Sequence, residues 1–212
     1  MTPHKIIFWE VDPQADFLLP GGKLYVPGAE RIIPNLNRLV EEARKGRVFL
    51  ISHGCQHSPD DPEFQTFPPH CIRGTAGARL IPEALTDKFC IIPNEKSFRL
   101  TGDLLKNQQV VFEKQELDVF SNPHAAVVVE LLGKDAEFYV FGVVTEYCVL
   151  LAAKGLLERK RKVFIVRDAI ETLDPKEGSR TLEELKALGA RIVSTDEALE
   201  AVRDENSRAA PE

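Results

Sequence analysis

A regular alternation of short apolar runs with segments of helical periodicity constrains the fold of this chain more than any other feature of its sequence. The apolar runs are rich in β-branched residues and have the length of buried strands. They occupy residues 5–11, 47–53, 109–113, 137–144, 162–167 and 191–194. The segments of helical spacing occupy residues 29–45, 123–132, 146–159 and 179–188, with Gly189 as the expected stop of the last. Because strands that alternate with helices pair in parallel, the sequence predicts a parallel sheet covered by helices on both faces.

Two stretches fall outside this alternation. Residues 54–108 contain six prolines and little clean periodicity, and an excursion of that length is usually functional or disordered. After Asp196 a short helix is expected to give way to a polar tail with too little apolar surface to order itself. A chain of 212 residues with 43% apolar content can bury one sizeable core. We therefore predict a single domain over residues 1–200 and a disordered polar C-terminal tail over residues 201–212.

Charge and cysteine usage exclude several classes of partner. The formal net charge of -6 disfavours nucleic acid, because the surface as a whole repels phosphate backbones. Glu10 and Asp12 interrupt the N-terminal apolar run before it reaches the length of a secretion signal, and no other run is long enough to span a bilayer. The four cysteines include no Cys-x-x-Cys pair, which is typical of reduced thiols. We expect a cytoplasmic protein that acts on a small molecule, with no membrane or nucleic-acid partner; a homo-oligomer stays open.

Three polar residues lie just past the ends of predicted strands, where open parallel sheets bind their ligands. Asp12 follows IIFWEV, Lys114 follows VVFE, and Cys148 lies in the first turn of the helix after FYVFGVV. Because the carboxyl ends of parallel strands share one edge of the sheet, the sequence predicts that these three side chains can meet there.

These residue types suit acyl transfer to a cysteine nucleophile. With Thr145 as N-cap, Cys148 is the third residue of its helix, where free amides and the helix dipole lower a thiol pKa from about 8.5. Asp12 is then the base, and Lys114 keeps it ionised and stabilises developing charge, while the helix-start amides can hold an oxyanion. Taken singly, each residue is more often structural, as a packed thiol, a loop cap or a strand-end charge. Their joint placement favours catalysis.

Four separated motifs add a more specific signal. They are VDPQADF at residues 11–17, GGKLYVPGAERIIPNLNRLV at 21–40, FPPHCIRGTAGA at 67–78 and GVVTEYCV at 142–149. Together they resemble the isochorismatase-like cysteine hydrolases, and the histidine-containing third motif resembles the nicotinamidase branch. The resemblance covers residues 6–198. With the strand alternation, it implies an α/β fold of three α/β/α layers around a parallel sheet of about six strands.

The resemblance also implies roles for particular residues. Asp12, Lys114 and Cys148 match the catalytic triad of the family. A cis peptide bond is implied between Val143 and Val144. The backbone amides of Val144 and Cys148 are the implied oxyanion hole.

A metal site beside the triad is a further implication. Nicotinamidases hold a divalent metal through an aspartate, a histidine two residues later and the histidine of a Pro-His-Cys run. Here Cys55 stands in the place of the aspartate, His57 and His70 match the histidines, and Glu63 corresponds to a loop glutamate of some relatives. Sulfur, nitrogen and oxygen ligands suit zinc, whereas a thiolate disfavours magnesium and manganese, so we predict zinc as the cofactor. A vacant loop that has lost its metal stays open as the alternative.

The remaining histidines and cysteines show no comparable arrangement, and the two cysteines are expected to be packed thiols. They are His4, His53, His124, Cys71 and Cys90.

The predicted function is therefore cysteine-dependent hydrolysis of nicotinamide to nicotinate and ammonia through a thioester. Phe17 and Phe67 match positions at which the family stacks aromatic side chains around a pyridine ring, although a simple core role for Phe17 stays open. The nearest alternative is a related hydrolase of the maleamate, carbamoylsarcosine or ureidoacrylate type, which the altered metal motif would explain. Two others are a catalytically silent small-molecule binding protein on the same fold, and a true isochorismatase, which cleaves a vinyl ether and typically lacks this cysteine.

Overall fold

A parallel sheet of seven strands forms the centre of the structure, a computed structural model that describes residues 4–209. The strands are β1 (Ile6–Val11), β2 (Phe49–Cys55), β3 (Phe89–Ile92), β4 (Gln109–Lys114), β5 (Glu137–Gly142), β6 (Lys162–Ile170) and β7 (Arg191–Val193). They lie in the order β3-β4-β2-β1-β5-β6-β7, and every neighbouring pair is parallel. All six residues of the central strand β1 are buried, as expected for a strand covered on both faces.

Helices form a layer on each face of this sheet. The α-helices of the described chain are α1 (Ala15–Leu18), α2 (Ile33–Arg44), α3 (Ala125–Leu131), α4 (Leu150–Glu158), α5 (Pro175–Ala187) and α6 (Thr195–Ala209). The chain leaves β1 through α2 toward one edge of the sheet and leaves β5 through α4 toward the other. Because right-handed crossovers in opposite directions place their helices on opposite faces, α2 and α4 lie on different faces. With α6 against α2 and α5 against α4, the predicted three-layer α/β/α fold is confirmed.

The six predicted strands are present with bounds shifted by a few residues, and the seventh strand is an addition. β3 lies within the proline-containing stretch that lacked clean periodicity. It has four residues and stands at the edge of the sheet, with Phe89 and Ile91 exposed. Its apolar run FCII is only four residues long and is followed by Pro93, and so short a run shows no periodicity that would identify it as a strand.

Helix starts differ from the sequence prediction for local chemical reasons. The segment predicted over residues 29–45 divides into a 3-10 turn (Ala29–Ile32) followed by α2. The helix predicted from residue 179 begins at Pro175, because the Asp174 carboxylate accepts hydrogen bonds from the amides of Lys176 (2.7 Å) and Glu177 (3.3 Å). Gly189, the predicted stop, has a φ of 105°.

The predicted disordered tail is wrong for residues 201–209. Helix α6 continues through Ala209, where the sequence analysis expected order to end near residue 200. Ala198 and Val202 are spaced one turn apart and are fully buried, and the Glu205 carboxylate lies 3.1 Å from the Lys5 ammonium. Two apolar positions are too few to stand out in a polar sequence, but they suffice once a neighbouring helix and strand provide a surface. Residues 210–212 of the predicted tail lie outside the described residues.

None of the helices within residues 4–209 is long and apolar enough to cross a bilayer.

The order of the strands marks the position of a crevice at one edge of the sheet. The crossovers that leave β1 and β5 run in opposite directions, and these two strands are neighbours. In open α/β sheets such a switch point leaves a crevice at the carboxyl ends of the two strands, where ligands bind.

Candidate active site

Asp12, Lys114 and Cys148 meet at this crevice. Asp12 directly follows β1, Lys114 is the last residue of β4, and Cys148 lies in the turn between β5 and α4. The Lys114 ammonium lies 3.0 Å from Oδ2 of Asp12 and 3.5 Å from Sγ of Cys148. All three side chains are at most 5% exposed. We call these three residues the catalytic corner.

The backbone turns Asp12 toward this group. Its φ of 45° lies in the left-handed region, which Asp tolerates better than most residues. Its amide still donates to the carbonyl of His53 at 3.1 Å, so the chain leaves the sheet only beyond this residue. The turn directs the carboxylate toward Lys114 and Cys148.

The charges of the catalytic corner are balanced by pairing. Burial by itself would raise the pKa of Asp12, but the attraction of Lys114 and His53 outweighs it and holds that pKa well below its usual range. Burial would likewise lower the pKa of Lys114, but Asp12 and the two nearby thiols raise it well above the ordinary value. The corner therefore holds a carboxylate and an ammonium.

The expectation that the helix start lowers the pKa of Cys148 is wrong in this state of the protein. Burial, and next to it the negative charge of Asp12, raise the pKa of that thiol well above its ordinary value, and Lys114 only partly offsets them. Cys148 thus carries a neutral thiol, whose pKa the nearby Asp12 carboxylate helps to raise. A carboxylate near a protonated thiol is an arrangement that can accept the thiol proton.

The segment around Cys148 also differs from the predicted helix start. Thr145–Val149 forms a turn of π-helix before α4, and Val144 is its N-cap. Thr145, the predicted N-cap, instead donates its hydroxyl to the carbonyl of Glu171 at 2.7 Å. The peptide bond between Val143 and Val144 is cis, as the resemblance implied. Within the described chain the amide of Val144 has no hydrogen-bond acceptor, which leaves it free for an oxyanion.

His53 is a member of this site that the sequence analysis missed. Its Nδ1 lies 2.9 Å from Oδ1 of Asp12, and its ring is fully buried. Burial lowers the pKa of His53, although the Asp12 carboxylate partly offsets this effect. The sequence feature that could have revealed His53 is its position in β2, two residues before Cys55. Residues i and i+2 of a strand face the same side of the sheet.

A second thiol reaches the catalytic corner from β2. Sγ of Cys55 lies 3.1 Å from the Lys114 ammonium, which therefore contacts both cysteines. Burial raises the pKa of Cys55 to about 12. The Gln14 side chain fixes its backbone: Oε1 accepts from the Cys55 amide at 2.7 Å, and Nε2 donates to the Cys55 carbonyl at 2.8 Å.

The predicted metal ligands converge on one point. The ligand atoms of Cys55, His57 and His70 all lie within 4.8 Å of one another. Oε1 of Glu63 lies 3.9 Å from Nε2 of His57 and 3.7 Å from Nε2 of His70. We call these four residues the metal corner.

The imidazoles of the metal corner are oriented as metal ligands usually are. Nδ1 of His57 lies 3.0 Å from the Asp61 carboxylate, and Nδ1 of His70 lies 2.8 Å from the carbonyl of Pro68. These contacts leave both Nε2 atoms free to accept a cation. Nε2 of His57 is buried and has no hydrogen-bond partner among residues 4–209. Such an atom costs free energy unless something binds it, so the residues fit a divalent cation.

Asp16 belongs, like Gln14, to the VDPQADF motif, and the sequence analysis gave neither residue a role. Its buried carboxylate accepts hydrogen bonds from the amides of Cys71 (2.7 Å) and Lys23 (3.0 Å). The first bond anchors the loop that carries His70. Cys71 is buried and Cys90 is half-buried, in line with the expected packed thiols.

A small apolar cavity opens onto both corners. Phe17 and Phe67 line it, together with Tyr147, whose ring meets that of Phe67 edge-on at 5.7 Å. The Phe17 ring lies 5.3 Å from the ring of His70. The other lining residues are Asp12, Leu24, Cys55, Glu63, His70, Leu117, Val143, Val144, Cys148 and Leu173. None of the described lining residues is an arginine or a lysine.

Comparisons with known proteins fit this geometry. The family model of the isochorismatase domain matches residues 7–197. A nicotinamidase of Saccharomyces cerevisiae is 24% identical over 219 aligned positions, which cover 86% of this chain and 96% of the yeast protein. The structure of a pyrazinamidase of Pyrococcus horikoshii in complex with zinc covers 90% of this chain and 99% of its own, with a TM-score of 0.71 and 26% identity. An N-carbamoylsarcosine amidase of Thermoplasma acidophilum shares the fold, with a TM-score of 0.70, 22% identity, and coverage of 91% and 97%.

Proposed function

The chain belongs to the isochorismatase domain family, and we propose that it is a cysteine-dependent amidohydrolase that converts nicotinamide and water to nicotinate and ammonia. The observation that carries the proposal is the buried contact of one ammonium with a carboxylate and a thiol. Lys114 lies 3.0 Å from Asp12 and 3.5 Å from Cys148, at the switch point of the sheet. A base, a nucleophile and a fixed positive charge are the groups that acyl transfer through a thioester requires.

The chemistry follows from the positions of these groups. Asp12 accepts the proton of the Cys148 thiol as Sγ attacks the carboxamide carbon, and the amides of Val144 and Cys148 stabilise the resulting oxyanion. Asp12 then gives the proton to the leaving nitrogen, and the departure of ammonia leaves a thioester on Cys148. Water attacks the thioester as Asp12 takes one of its protons, and that proton returns to Cys148 when the acid is released. Throughout, Lys114 keeps Asp12 in its ionised resting form.

The metal corner would hold the cofactor. Cys55, His57, His70 and Glu63 offer sulfur, nitrogen and oxygen donors, a set that selects zinc over harder cations. When bound there, the cation would orient a substrate through its ring nitrogen or through water near it. Purified protein is expected to contain zinc, to lose affinity for it in Cys55→Ser, and to shift toward harder ions in Cys55→Asp. A metal content that is unchanged in both variants would contradict this assignment.

The lining of the cavity favours an uncharged aromatic amide. Phe17, Phe67 and Tyr147 present flat apolar surfaces, while the lining carboxyl groups belong to Asp12 and Glu63. No arginine or lysine among the described lining residues offers a partner to a substrate carboxylate. Substrates of the maleamate, carbamoylsarcosine or ureidoacrylate type carry such a carboxylate and are therefore disfavoured. A silent binding protein would have no need of the base, nucleophile and ammonium in contact.

Release of ammonia tests the proposal. Nicotinamide, pyrazinamide, maleamate and N-carbamoylsarcosine are supplied separately to the purified enzyme, with Cys148→Ala as the control. The expected result is ammonia from the two aromatic amides and none from the control. Turnover restricted to the acidic substrates would instead identify the related carbamoyl or maleamate hydrolase. No turnover of any amide would favour the silent binding protein.

A further inference from the structure

His53 contacts the proposed base, Asp12, at the carboxylate oxygen that Lys114 does not contact. We propose that His53 is a positioning residue, which holds the Asp12 carboxylate in the orientation that exchanges a proton with Cys148. This inference rests on the proposed role of Asp12 as the base. It adds a member to the site to which neither the motifs nor the comparisons give a role.

The two oxygens of the Asp12 carboxylate have different partners. Nδ1 of His53 lies 2.9 Å from Oδ1, and the Lys114 ammonium lies 3.0 Å from Oδ2. A carboxylate rotates easily about its last bond, because that torsion has broad minima. With Lys114 alone, either oxygen could turn to the ammonium and the remaining lone pairs would lack a partner in a buried site. With both contacts, one orientation of Asp12 toward Cys148 is retained.

The ring of His53 is itself fixed. It is fully buried, and it meets the Trp9 ring edge-on at a centroid distance of 6.2 Å. Since Asp12 is an acceptor, Nδ1 carries the proton in this contact. Nε2 is buried with no hydrogen-bond partner in the described part of the chain. The hydrogen bond to Asp12 is therefore the one side-chain hydrogen bond that His53 makes within residues 4–209.

His53 acts on the reaction only through Asp12. It is absent from the residues that line the cavity, so it does not contact a substrate there. Its removal should therefore reduce the rate of proton exchange with Cys148 and leave substrate binding nearly unchanged. A loss in kcat with a constant KM distinguishes this role from a general loosening of the pocket.

Two substitutions separate the hydrogen bond from the packing. His53→Leu fills the buried space without a donor, whereas His53→Asn can place its amide nitrogen where Nδ1 lies. We expect kcat for ammonia release to fall about 100-fold in His53→Leu with KM within about 3-fold, and His53→Asn to recover most of the loss. His124→Asn is the matched control, because that histidine bonds to the carbonyl of Glu95 away from the site.

A second readout does not depend on the identity of the substrate. Alkylation of Cys148 by iodoacetamide, followed by mass spectrometry of its peptide, reports how readily the thiol gives up its proton. We expect alkylation to slow at least about 10-fold in His53→Leu, to recover in His53→Asn, and to be unchanged in His124→Asn. If the wild-type protein hydrolyses no amide, the proposed function fails, yet this readout still decides the role of His53.

Two results would overturn the inference that His53 positions Asp12. Unchanged kcat and unchanged alkylation in a folded His53→Leu protein would overturn the inference and leave His53 a structural residue. If His53→Leu does not fold, His53→Gln replaces it, because its longer side chain carries the amide nitrogen past the position of Nδ1. A folded His53→Asn protein that is as impaired as His53→Leu or His53→Gln would also overturn the inference. A donor at the position of Nδ1 would then have no effect on the reaction.

Discussion

The catalytic corner and the metal corner are in contact, yet their charges are balanced in different ways. In the catalytic corner Lys114 lies beside Asp12 and holds the pKa of that buried carboxyl well below its usual range. In the metal corner burial raises the pKa of Glu63, and His57 and Lys114 only partly offset it. The first corner thus contains its own cation, whereas the second brings together ligand atoms that fit a bound one. The difference teaches that burial alone does not decide the ionisation state of a carboxyl group, because a neighbouring charge can reverse its effect on the pKa.

The two corners also differ in the structural elements that supply their residues. Asp12 directly follows β1 and Lys114 ends β4, and both strands pair with β2, so the sheet itself fixes their separation. His57, Glu63 and His70 lie on the long connection between β2 and β3. Rigid strands can hold a complete ion pair, whereas a loop gains from a bound cation that ties its ligands together.

The largest expected effect comes from removing the nucleophile of the catalytic corner. Cys148→Ala should reduce ammonia release by about 10⁴-fold or more, because it removes the proposed nucleophile of the thioester step. Binding of zinc should be unchanged, since Cys148 is not a ligand of the metal corner. Steady-state kinetics and metal analysis of the same preparation measure both. Retained turnover would remove Cys148 from the mechanism.

Breaking the ion pair of the catalytic corner should give the next largest effect. Lys114→Met leaves the Asp12 carboxylate buried without its ammonium, which should lower the free energy of unfolding by about 3 to 5 kcal/mol. Urea denaturation measures the change. The double variant Asp12→Asn with Lys114→Met is the control and should recover much of the loss, because neither charge remains. Equal stability of the single and double variants would show that the pair is not the cause.

The buried carboxyl group of Glu10 tests how burial and neighbouring charge together set a pKa at a place without a catalytic role. Burial raises the pKa of Glu10 to about 8, although hydrogen bonding by Ser52 (2.7 Å) and the charge of Arg44 partly offset this effect. Between pH 4.5 and 8 the folded protein keeps a proton that the unfolded chain releases, so stability falls as pH rises through this window.

Glu10→Gln should remove that dependence. The slope in the wild type is at most about 1.4 kcal/mol per pH unit, so the variant should gain a few kcal/mol over the wild type near pH 8 and little near pH 4. Urea denaturation at several pH values measures the difference. A gain that is the same at both ends of the range would point to packing instead of ionisation.

The smallest expected effect concerns the support of the metal corner. Asp61→Asn weakens the contact that orients His57 but keeps an oxygen that can cap the turn beginning at Pro62. The affinity for zinc should fall by about 10- to 100-fold. Competition with a chromophoric chelator measures it, and Asp60→Asn, one residue earlier in the chain, is the control. Unchanged affinity would show that Asp61 serves the turn alone.

The sequence predicted the members of both corners better than it predicted their surroundings. Asp12, Lys114 and Cys148 were recognised because strand ends share one edge of a parallel sheet, and the four metal-corner residues were recognised from motifs. His53, Gln14 and Asp16 were missed, since each acts through a contact with a residue at least 41 positions away. For Gln14 and Asp16 such contacts leave no periodic or local trace in the chain, whereas the spacing of His53 from Cys55 places both residues on one face of β2.

What the sequence alone determined is the parallel α/β architecture and the set of chemical groups brought to one edge. Apolar periodicity and chain order decide these, because they act through local conformation and burial. The tertiary structure decided the ionisation of each group: a neutral Cys148 thiol beside an ionised Asp12, and one ammonium shared by two thiols. The physical reason is that a pKa depends on burial and on charges within a few ångströms, and those neighbours come from distant parts of the chain.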